Sequence, residues 1–170
     1  MEGEGVLARW VFSTAMGWMG VVFSDNGLRY IVTPKVAQDE VLEELATEFP
    51  RILPPAHSEP EAARQLRSYL EGRRVPFSAA LDLECATPFQ RRVWEATQMI
   101  PWGEVRTYSW VAEKVGAPKA PRAVGRALGA NPLPIIIPCH RVVARNGGLG
   151  GYSSGLEMKK RFLELEGLRR

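Results

Sequence analysis

The sequence predicts an α+β protein of two domains, with an antiparallel sheet and helices in residues 1–78 and mainly helices in residues 79–170. Three short apolar runs separated by turn residues open the chain, and later segments carry apolar residues at helical spacing. The chain has 170 residues, of which 45% are hydrophobic and 24% charged, so it can bury its cores without a metal or disulfide. This composition excludes a disordered protein and a disulfide-stapled scaffold.

The N-terminal sheet is predicted from an alternation of apolar runs and turns. The runs are Val6–Ser13, Trp18–Ser24 and Leu28–Thr33, separated by Met16-Gly17 and Asp25-Asn26-Gly27. Asn-Gly between apolar runs is typical of a tight hairpin, because both residue types tolerate the positive φ of the turn. The three runs are therefore predicted to form an antiparallel meander.

Two helices and a linker complete the first domain. Apolar residues recur at helical spacing in Gln38–Phe49 and from about Glu59 to Glu71. The proline-rich segment Arg51–Pro60 is predicted to be a loop. Arg73–Ala86 is predicted to be a linker that includes a short strand at Ala80–Leu83.

Four helices are predicted in the second domain. They run from Thr87 to about Met99, from Thr107 to Val115, from Pro121 to Gly129 and from Leu156 to Glu166. A threonine followed by proline starts the first of them, a pattern typical of a helix N-terminus. The second and third are short and joined by a tight glycine-containing turn, which fits a helix-turn-helix and also an ordinary helical hairpin.

Prolines and glycines shape the segments before the last helix. Three prolines fall within seven residues at positions 132–138, so Leu133–Val143 is predicted to be extended and rigid. Gly147–Gly155 is a glycine-rich loop without the spacing of a Walker motif or a dinucleotide fingerprint, so nucleotide binding is not predicted. Such a loop lets backbone approach a flat ligand closely.

Charge is distributed unevenly along the chain. Residues 1–80 carry 8 Lys and Arg and 11 Asp and Glu, whereas residues 81–170 carry 14 and 8, which gives net charges of −3 and +6. The basic second half indicates a polyanionic partner. The apolar stretch Trp10–Phe23 is too short to span a bilayer, and Glu2 and Glu4 have the wrong sign for an export signal. We therefore expect a cytoplasmic protein with reduced thiols.

Cys139 is the candidate nucleophile, because His140 follows it directly and a base can hold a neighbouring thiol as the reactive thiolate. A cysteine that follows Ile135–Ile137 could equally be a small buried apolar residue. Cys85 has no neighbouring base and is expected to be structural, and His57 in the proline loop is expected to be solvated. With two cysteines and no Cys-x-x-Cys spacing, no metal site is predicted.

An ordered set of motifs in the second half resembles one family. The motifs are Thr87-Pro-Phe-Gln-Arg-Arg-Val-Trp, Gly103-Glu-Val-Arg-Thr-Tyr, Pro121-Arg-Ala-Val-Gly-Arg-Ala, Asn131-Pro, Ile137-Pro-Cys-His-Arg-Val, Gly151-Tyr-Ser-Ser-Gly and Leu165-Glu-Gly. In order and approximate spacing, over about residues 80–167, they resemble the O6-alkylguanine-DNA alkyltransferases, which are suicide DNA-repair methyltransferases. The opening meander resembles the smaller N-terminal domain of that family much more weakly.

The resemblance implies a fold and a reaction. Residues 1–78 would form a ribonuclease H-like support domain, and residues 79–170 a winged helix-turn-helix domain with the active site. The alkyl group on guanine O6 would pass irreversibly to Cys139, in a single turnover and without a cofactor. His140 would take the thiol proton through a bridging water, and Glu166 would orient and stabilise the imidazolium. Asn131 would join the end of the recognition helix to the active-site segment.

The resemblance also assigns a pocket for the flipped-out base. The Tyr108 hydroxyl would donate to N3 of guanine and the Ser153 amide to O6, while the carbonyl groups of Cys139 and Val142 would accept the exocyclic amine. The complete set of pocket residues is Tyr108, Val142, Gly150, Gly151, Tyr152 and Ser153.

Contacts with DNA are implied in the same way. Arg122 would enter the duplex in place of the flipped nucleotide, and Arg126 would contact phosphate. Small side chains would let this helix lie in the minor groove. The complete set of DNA-binding residues is Thr107, Arg122, Ala123, Gly125, Arg126 and Gly129.

The expected partner is double-stranded DNA that contains O6-alkylguanine. We expect no membrane contact and no obligate protein partner, a monomer with cooperative binding to DNA left open, and a place at the nucleoid or in the nucleus according to the cell. No metal is expected, because the chain has no cysteine before Cys85 to match the structural zinc site of some members. Two alternatives stay open: a DNA-binding damage sensor that signals through Cys139, and a cysteine-dependent enzyme with a small substrate.

Overall fold

The computed structural model describes residues 7–49, 51 and 54–169. The chain divides into two units, one up to Leu83 and the other from Glu84. None of the helices in the described part of the chain is long and apolar enough to cross a membrane.

The break between the units falls later than the predicted boundary after residue 78. The Leu28 amide donates a hydrogen bond of 2.8 Å to the Ala80 carbonyl, and the Asp82 amide donates one of 2.8 Å to the Leu28 carbonyl. These bonds keep the segment before Leu83 with the first unit. They form a single bridge between Leu28 and Leu81, so the predicted short strand in this segment is wrong.

Three antiparallel strands form the sheet of the first unit, in the order β1-β2-β3. They are β1 (Ala8–Thr14), β2 (Gly17–Ser24) and β3 (Gly27–Lys35). Gly27 has a φ of 132°, and a Cβ there would collide with the Ala80 carbonyl, so this turn needs glycine. The predicted meander is confirmed, and Val6 of its first predicted strand lies outside the described residues.

Two helices pack in the first unit as predicted, α1 (Gln38–Glu48) and α2 (Glu61–Leu70). One face of α1 contributes to a buried cluster with the sheet. The fully buried members of this cluster are Val22, Val32, Val41 and Leu45. This burial of aliphatic side chains is what holds α1 on the sheet.

Residues 54–56 of the predicted proline loop Arg51–Pro60 lie beside β1. The Arg9 amide donates a hydrogen bond of 2.9 Å to the Pro54 carbonyl, and the Ala56 amide donates one of 2.8 Å to the Arg9 carbonyl. Positions 52 and 53 of this loop, and position 50 before it, lie outside the described residues.

Over residues 84–169, the described part of the second unit has four α-helices and two very short strands. In chain order they are α3 (Pro88–Gln98), β4 (Arg106–Thr107), α4 (Tyr108–Lys114), α5 (Pro121–Gly129), β5 (Val142–Val143) and α6 (Leu156–Leu165). The strands β4 and β5 pair in parallel, and this pairing was not predicted. All four predicted helices are confirmed.

Capping and one long-range hydrogen bond fix α3. The Thr87 hydroxyl accepts from the Gln90 amide at 3.2 Å, and the Gln90 side chain accepts from the Thr87 amide at 2.9 Å, which forms a capping box. On the buried face, the indole of Trp94 donates to the Ala127 carbonyl of α5 at 2.9 Å. The helix therefore supports α5, which leads to the active-site segment.

The prediction that Leu133–Val143 is extended throughout is wrong. The Ile137 amide donates to the Leu133 carbonyl at 2.9 Å, Ile135 has a φ of 76°, and Cys139–Arg141 forms one turn of 3-10 helix. The prolines exclude a long helix but permit tight turns, since a turn needs only one or two amide donors. The segment thus folds back on itself immediately before the candidate nucleophile.

Candidate active site

Cys139 lies at the start of the 3-10 turn and is 5% exposed. The Asn131 side-chain amide, just beyond the end of α5, lies 3.1 Å from Sγ of Cys139 and donates to the Ile137 carbonyl at 2.9 Å. The Asn131 side-chain carbonyl accepts from the Leu133 amide at 2.9 Å. One side chain therefore joins the helix end, the turn and the sulfur atom.

His140 and Glu166 form a buried pair. Nε2 of His140 lies 2.7 Å from Oε1 of Glu166, and both side chains are inaccessible to solvent. The Phe162 ring meets the imidazole edge to face, with 5.4 Å between the ring centroids. The imidazole is therefore held on one side by a carboxylate and on another by an apolar ring.

Glu166 has further partners that the sequence analysis missed. Arg141 donates to both carboxylate oxygens, from Nε to Oε2 at 2.9 Å and from Nη2 to Oε1 at 3.0 Å, and the Gly103 amide donates to Oε2 at 3.3 Å. Burial alone would raise the pKa of Glu166, but the hydrogen bonds and charges of His140 and Arg141 lower it to about 2. Glu166 is therefore a carboxylate at neutral pH.

The environments of Cys139 and His140 set their protonation. Burial raises the pKa of the Cys139 thiol, whereas hydrogen bonds from Asn131 and Tyr152 and the charge of Lys159 act in the opposite direction. Burial lowers the pKa of His140, and the Glu166 carboxylate opposes this only in part. The resting site thus holds a thiol beside a neutral imidazole, which is the state in which the imidazole can accept a proton.

Lys159 of α6 is a second residue that the sequence analysis missed. Its side chain is fully buried, and Nζ donates to the Val142 carbonyl at 2.6 Å and to the Gly151 carbonyl at 3.1 Å. Nζ also lies 5.8 Å from the ring centroid of Tyr108 and 5.9 Å from that of Tyr152. One ammonium group therefore ties the end of the active-site segment to the glycine loop.

Cys139 opens into a cavity of about 540 Å³, within the size range of small-ligand sites. The lining residues are Tyr108, Pro121, Arg122, Gly125, Arg126, Leu128, Gly129, Cys139, Gly151, Tyr152 and Ser153. The Tyr108 hydroxyl donates to the Gly151 carbonyl at 3.2 Å. The candidate nucleophile, the glycine loop and the arginine-bearing face of α5 therefore line the same cavity.

Other residues assigned from the sequence lie outside this lining. Gly150 lies against Tyr108, since a Cβ on Gly150 would fall 2.7 Å from the phenol oxygen. Val142 is buried and meets the site through its carbonyl. Ala123 is on α5 without lining the cavity, and the Thr107 hydroxyl caps α4 by accepting from the Trp110 amide at 3.1 Å. The DNA contacts of Ala123 and Thr107 stay predictions.

Two further candidates from the sequence, Cys85 and His57, are not among the residues that line the cavity. His57 is exposed, as expected, and Cys85, which was expected to be structural, is exposed as well. Across the described residues there is no group of three or more His, Cys, Asp or Glu side chains that could hold a metal ion.

Comparison with known proteins assigns this site to a class. The family model for the DNA binding domain of 6-O-methylguanine DNA methyltransferase matches residues 88–168. A methylated-DNA--protein-cysteine methyltransferase of Methanosarcina acetivorans is 51% identical over 107 residues, which are 63% of this chain and 68% of the relative. The same-named protein of Mycobacterium leprae is 53% identical over 106 residues, 62% of this chain and 64% of the relative, so the match spans just under two thirds of that relative.

The structural match extends further along the chain. The crystal structure of Mycobacterium tuberculosis OGT in complex with DNA is 34% identical, covers 94% of this chain and 92% of its own, and has a TM-score of 0.76. Fold and site thus define a methyltransferase that takes its methyl group from methylated DNA and whose acceptor is a cysteine of the protein. The chain belongs to the methylated-DNA--protein-cysteine methyltransferase family.

Proposed function

We propose that this protein repairs O6-alkylated guanine in double-stranded DNA by transferring the alkyl group to its own Cys139, once per molecule. One observation carries the proposal: Cys139, beside the buried pair of His140 and Glu166, lines the same cavity as the arginine-bearing helix α5. The sulfur is itself the acceptor, so the reaction needs no cofactor.

The reaction forms a bond from Sγ to the alkyl carbon as the bond from that carbon to guanine O6 breaks. The thiol proton passes through a bridging water to His140. Because Nε2 is held by Glu166, Nδ1 is the nitrogen that receives it. The proton then returns to the departing guanine, so the site ends with its original charge and a thioether on Cys139. This thioether has no leaving group to release, which limits each chain to one event.

Guanine gains negative charge as it leaves, so donors at N3 and O6 lower the barrier. We assign the Tyr108 hydroxyl to N3 and the Ser153 amide to O6. The hydroxyl has one proton, so on binding of the base it turns from the Gly151 carbonyl to N3, and that carbonyl keeps the hydrogen bond from Lys159. Burial raises the pKa of Tyr108, so its hydroxyl keeps its proton and remains a donor at neutral pH. Tyr152 and Gly151 line the same cavity and would form its wall around the base.

We assign recognition of the exocyclic amine of guanine to the backbone carbonyl groups of Cys139 and Val142, which would accept hydrogen bonds from it. The first already accepts from the Val142 amide, and the second accepts from Lys159. A carbonyl oxygen has two lone pairs, so each can accept one more hydrogen bond from the base. The pair selects guanine, because its amine is a donor at that position.

DNA binding is assigned to α4 and α5 as a helix-turn-helix, with the chain around β4 and β5 as the wing. The small residues Ala123, Gly125 and Gly129 let α5 approach the minor groove closely. Arg122 replaces the flipped nucleotide, and Arg126 contacts phosphate. Both are exposed and line the cavity, as these roles require.

The first unit is assigned a supporting role as a ribonuclease H-like domain. The Lys and Arg excess lies in the second half, at 14 against 8 Asp and Glu, whereas the first half is acidic. A domain with a net negative charge does not attract the phosphate groups of DNA. We assign the active species as a monomer.

The test is incubation with a duplex oligonucleotide that contains one O6-methylguanine, followed by mass spectrometry of tryptic peptides. A methyl group on the Cys139 peptide, at no more than about one equivalent per chain, is the expected result. Cys85→Ser serves as the matched control and keeps full activity, whereas Cys139→Ser loses it. Multiple turnovers or methylation of Cys85 would contradict the proposal. Binding to damaged DNA without any transfer would favour a damage sensor instead.

A further inference from the structure

The carboxylate of Glu166 is held on both of its oxygens by Arg141. Nε of Arg141 lies 2.9 Å from Oε2 and 3.2 Å from Oε1, and Nη2 lies 3.0 Å from Oε1. The remaining terminal nitrogen, Nη1, donates to the Ile100 carbonyl at 2.6 Å. The guanidinium is therefore anchored to the chain that follows α3 and donates to both oxygens of the carboxylate.

This arrangement decides where Oε1 lies. A glutamate side chain has three rotatable bonds, and a single hydrogen bond to His140 would leave the carboxylate free to rotate about the last one. A planar fork with two contacts removes that freedom, because guanidinium and carboxylate match edge to edge. The amide of Gly103 adds a further contact to Oε2 at 3.3 Å. Oε1 is left directed at Nε2 of His140.

We infer that Arg141 is a positioning residue, which fixes the Glu166 carboxylate on Nε2 of His140 and thereby reserves Nδ1 for the proton of Cys139. The inference rests on the proposed function and adds a residue to which that function assigns no role. Arg141 acts through Glu166 and does not touch the thiol or the base.

Arg141 has two separable effects, one from its shape and one from its charge. The charged and titratable groups that act on His140 are Glu166, Arg141 and Lys159, beside the Cys139 thiol that precedes it. Glu166 raises the pKa of His140, whereas the two cations add to the lowering by burial. Loss of the Arg141 charge therefore raises the pKa of His140. Loss of the fork alone leaves that pKa nearly unchanged but lets the carboxylate rotate.

The experiment measures the second-order rate of Cys139 alkylation by the free base O6-benzylguanine, as a function of pH. Because no DNA is present, a change reports on the site alone. Arg141→Lys keeps the charge and loses the fork. We expect a plateau rate lower by on the order of tenfold, a part of what a positioned general base contributes, with the acidic limb of the profile near that of the wild type.

Arg141→Met loses both the fork and the charge. Its plateau should fall at least as far, and its acidic limb should move up by roughly one pH unit, because His140 must be neutral to accept the thiol proton. Arg161→Met, at an exposed arginine of α6, is the matched control and should leave both quantities unchanged. A purely structural role for Arg141 would not move the acidic limb.

Chemical rescue covers the case in which the substitution weakens the fold. With Arg141→Ala, methylguanidinium should restore part of the plateau rate, whereas urea at the same concentration should not, because it lacks the charge. An Arg141→Met profile equal to that of the wild type would overturn the inference, as would the absence of rescue in a folded Arg141→Ala protein. If the wild type itself fails to take an alkyl group from DNA, the proposed function fails instead.

Discussion

The ammonium group of Lys159 donates a hydrogen bond of 2.6 Å to the carbonyl of Val142, and the side chain that carries it is fully buried. Burial of a cation is costly unless opposite charge or dipoles compensate for it. Here burial lowers the pKa of Lys159 to about 8, and the charge of Cys139 opposes that lowering. Burial raises the pKa of Cys139, and the charge of Lys159 in turn opposes that rise. Lys159 therefore favours the thiolate over the thiol.

Lys159→Met should raise the pKa of Cys139 further, because a nearby positive charge is lost. The measurement is the pH dependence of iodoacetamide labelling in a Cys85→Ser background, so that Cys139 is the thiol observed. Labelling of Cys139 at neutral pH should be slower, because a smaller fraction of the thiol is ionised. Lys160→Met is the matched control, since Lys160 pairs with Glu164 on the exposed side of the same helix. Identical profiles for Lys159→Met and the wild type would contradict a charge effect on the thiol.

Gly150→Ala should slow the reaction with the base in addition to destabilising the loop, because the new methyl group would collide with Tyr108. Gly150 has a φ of 72°, and a Cβ there would lie 2.7 Å from the Tyr108 hydroxyl, so that ring or the loop must move. Gly147→Ala is the matched control, because Gly147 has a φ of 82° and a Cβ there would meet nothing within 4 Å.

Both glycine variants should lose roughly 1 kcal/mol or more of stability to the positive φ. The variant at Gly150 alone should react at least tenfold more slowly with O6-benzylguanine, on the scale of one lost transition-state donor. Equal rates for the two variants would show that the contact with Tyr108 has no part in base binding.

The sequence predicted what depends on local patterns. Asn26-Gly27 located a hairpin, and Thr87 with Gln90 located the start of α3, because turns and caps are decided by neighbouring residues. Cys139 and His140 were found because they are adjacent and lie in a recognisable motif. The helices followed from apolar spacing.

Residues whose roles depend on distant partners were missed. Lys159 lies on a helix with a basic stretch and gives the pattern of a solvated side chain, whereas its acceptor Val142 is 17 positions away. Gly103 was named from the sequence only as the first residue of a family motif and was assigned no role, but its amide donates to Glu166. The turn at Cys139–Arg141 was also missed, because proline rules exclude a long helix without choosing among the shapes that remain.

Arg122→Ala should separate repair of duplex DNA from reaction with the free base. Arg122 is exposed at the cavity, and on the proposed function it stabilises the duplex after the base has left the stack. The expected result is a loss on the order of tenfold or more in repair of an O6-methylguanine duplex, with little change for O6-benzylguanine. Arg126→Ala should instead weaken DNA binding and reduce its salt dependence. Equal losses of Arg122→Ala on both substrates would argue against a role in base flipping.

The free energy of unfolding should depend on pH in the acid range, because His140 and Arg141 stabilise the ionised form of Glu166. Burial alone would raise the pKa of Glu166, but His140 and Arg141 lower it from 4.5 to about 2 in the folded state. A carboxyl with a lowered pKa contributes stability that is complete above pH 4.5 and is lost as pH falls towards 2. At about 1.4 kcal/mol per pKa unit, the loss is on the order of 3 kcal/mol.

Urea unfolding of the wild type and of Glu166→Gln, from neutral pH down to about pH 3, measures this contribution. The glutamine variant cannot titrate, so the difference between the two unfolding free energies should shrink as the pH falls. Glu164→Gln is the matched control: Glu164 is exposed and is the second-last residue of α6, and its substitution should leave the pH profile unchanged. If the difference between the wild type and Glu166→Gln stays constant, the pKa of this carboxyl is the same in the folded and unfolded protein, which would contradict a stabilisation of the carboxylate by His140 and Arg141.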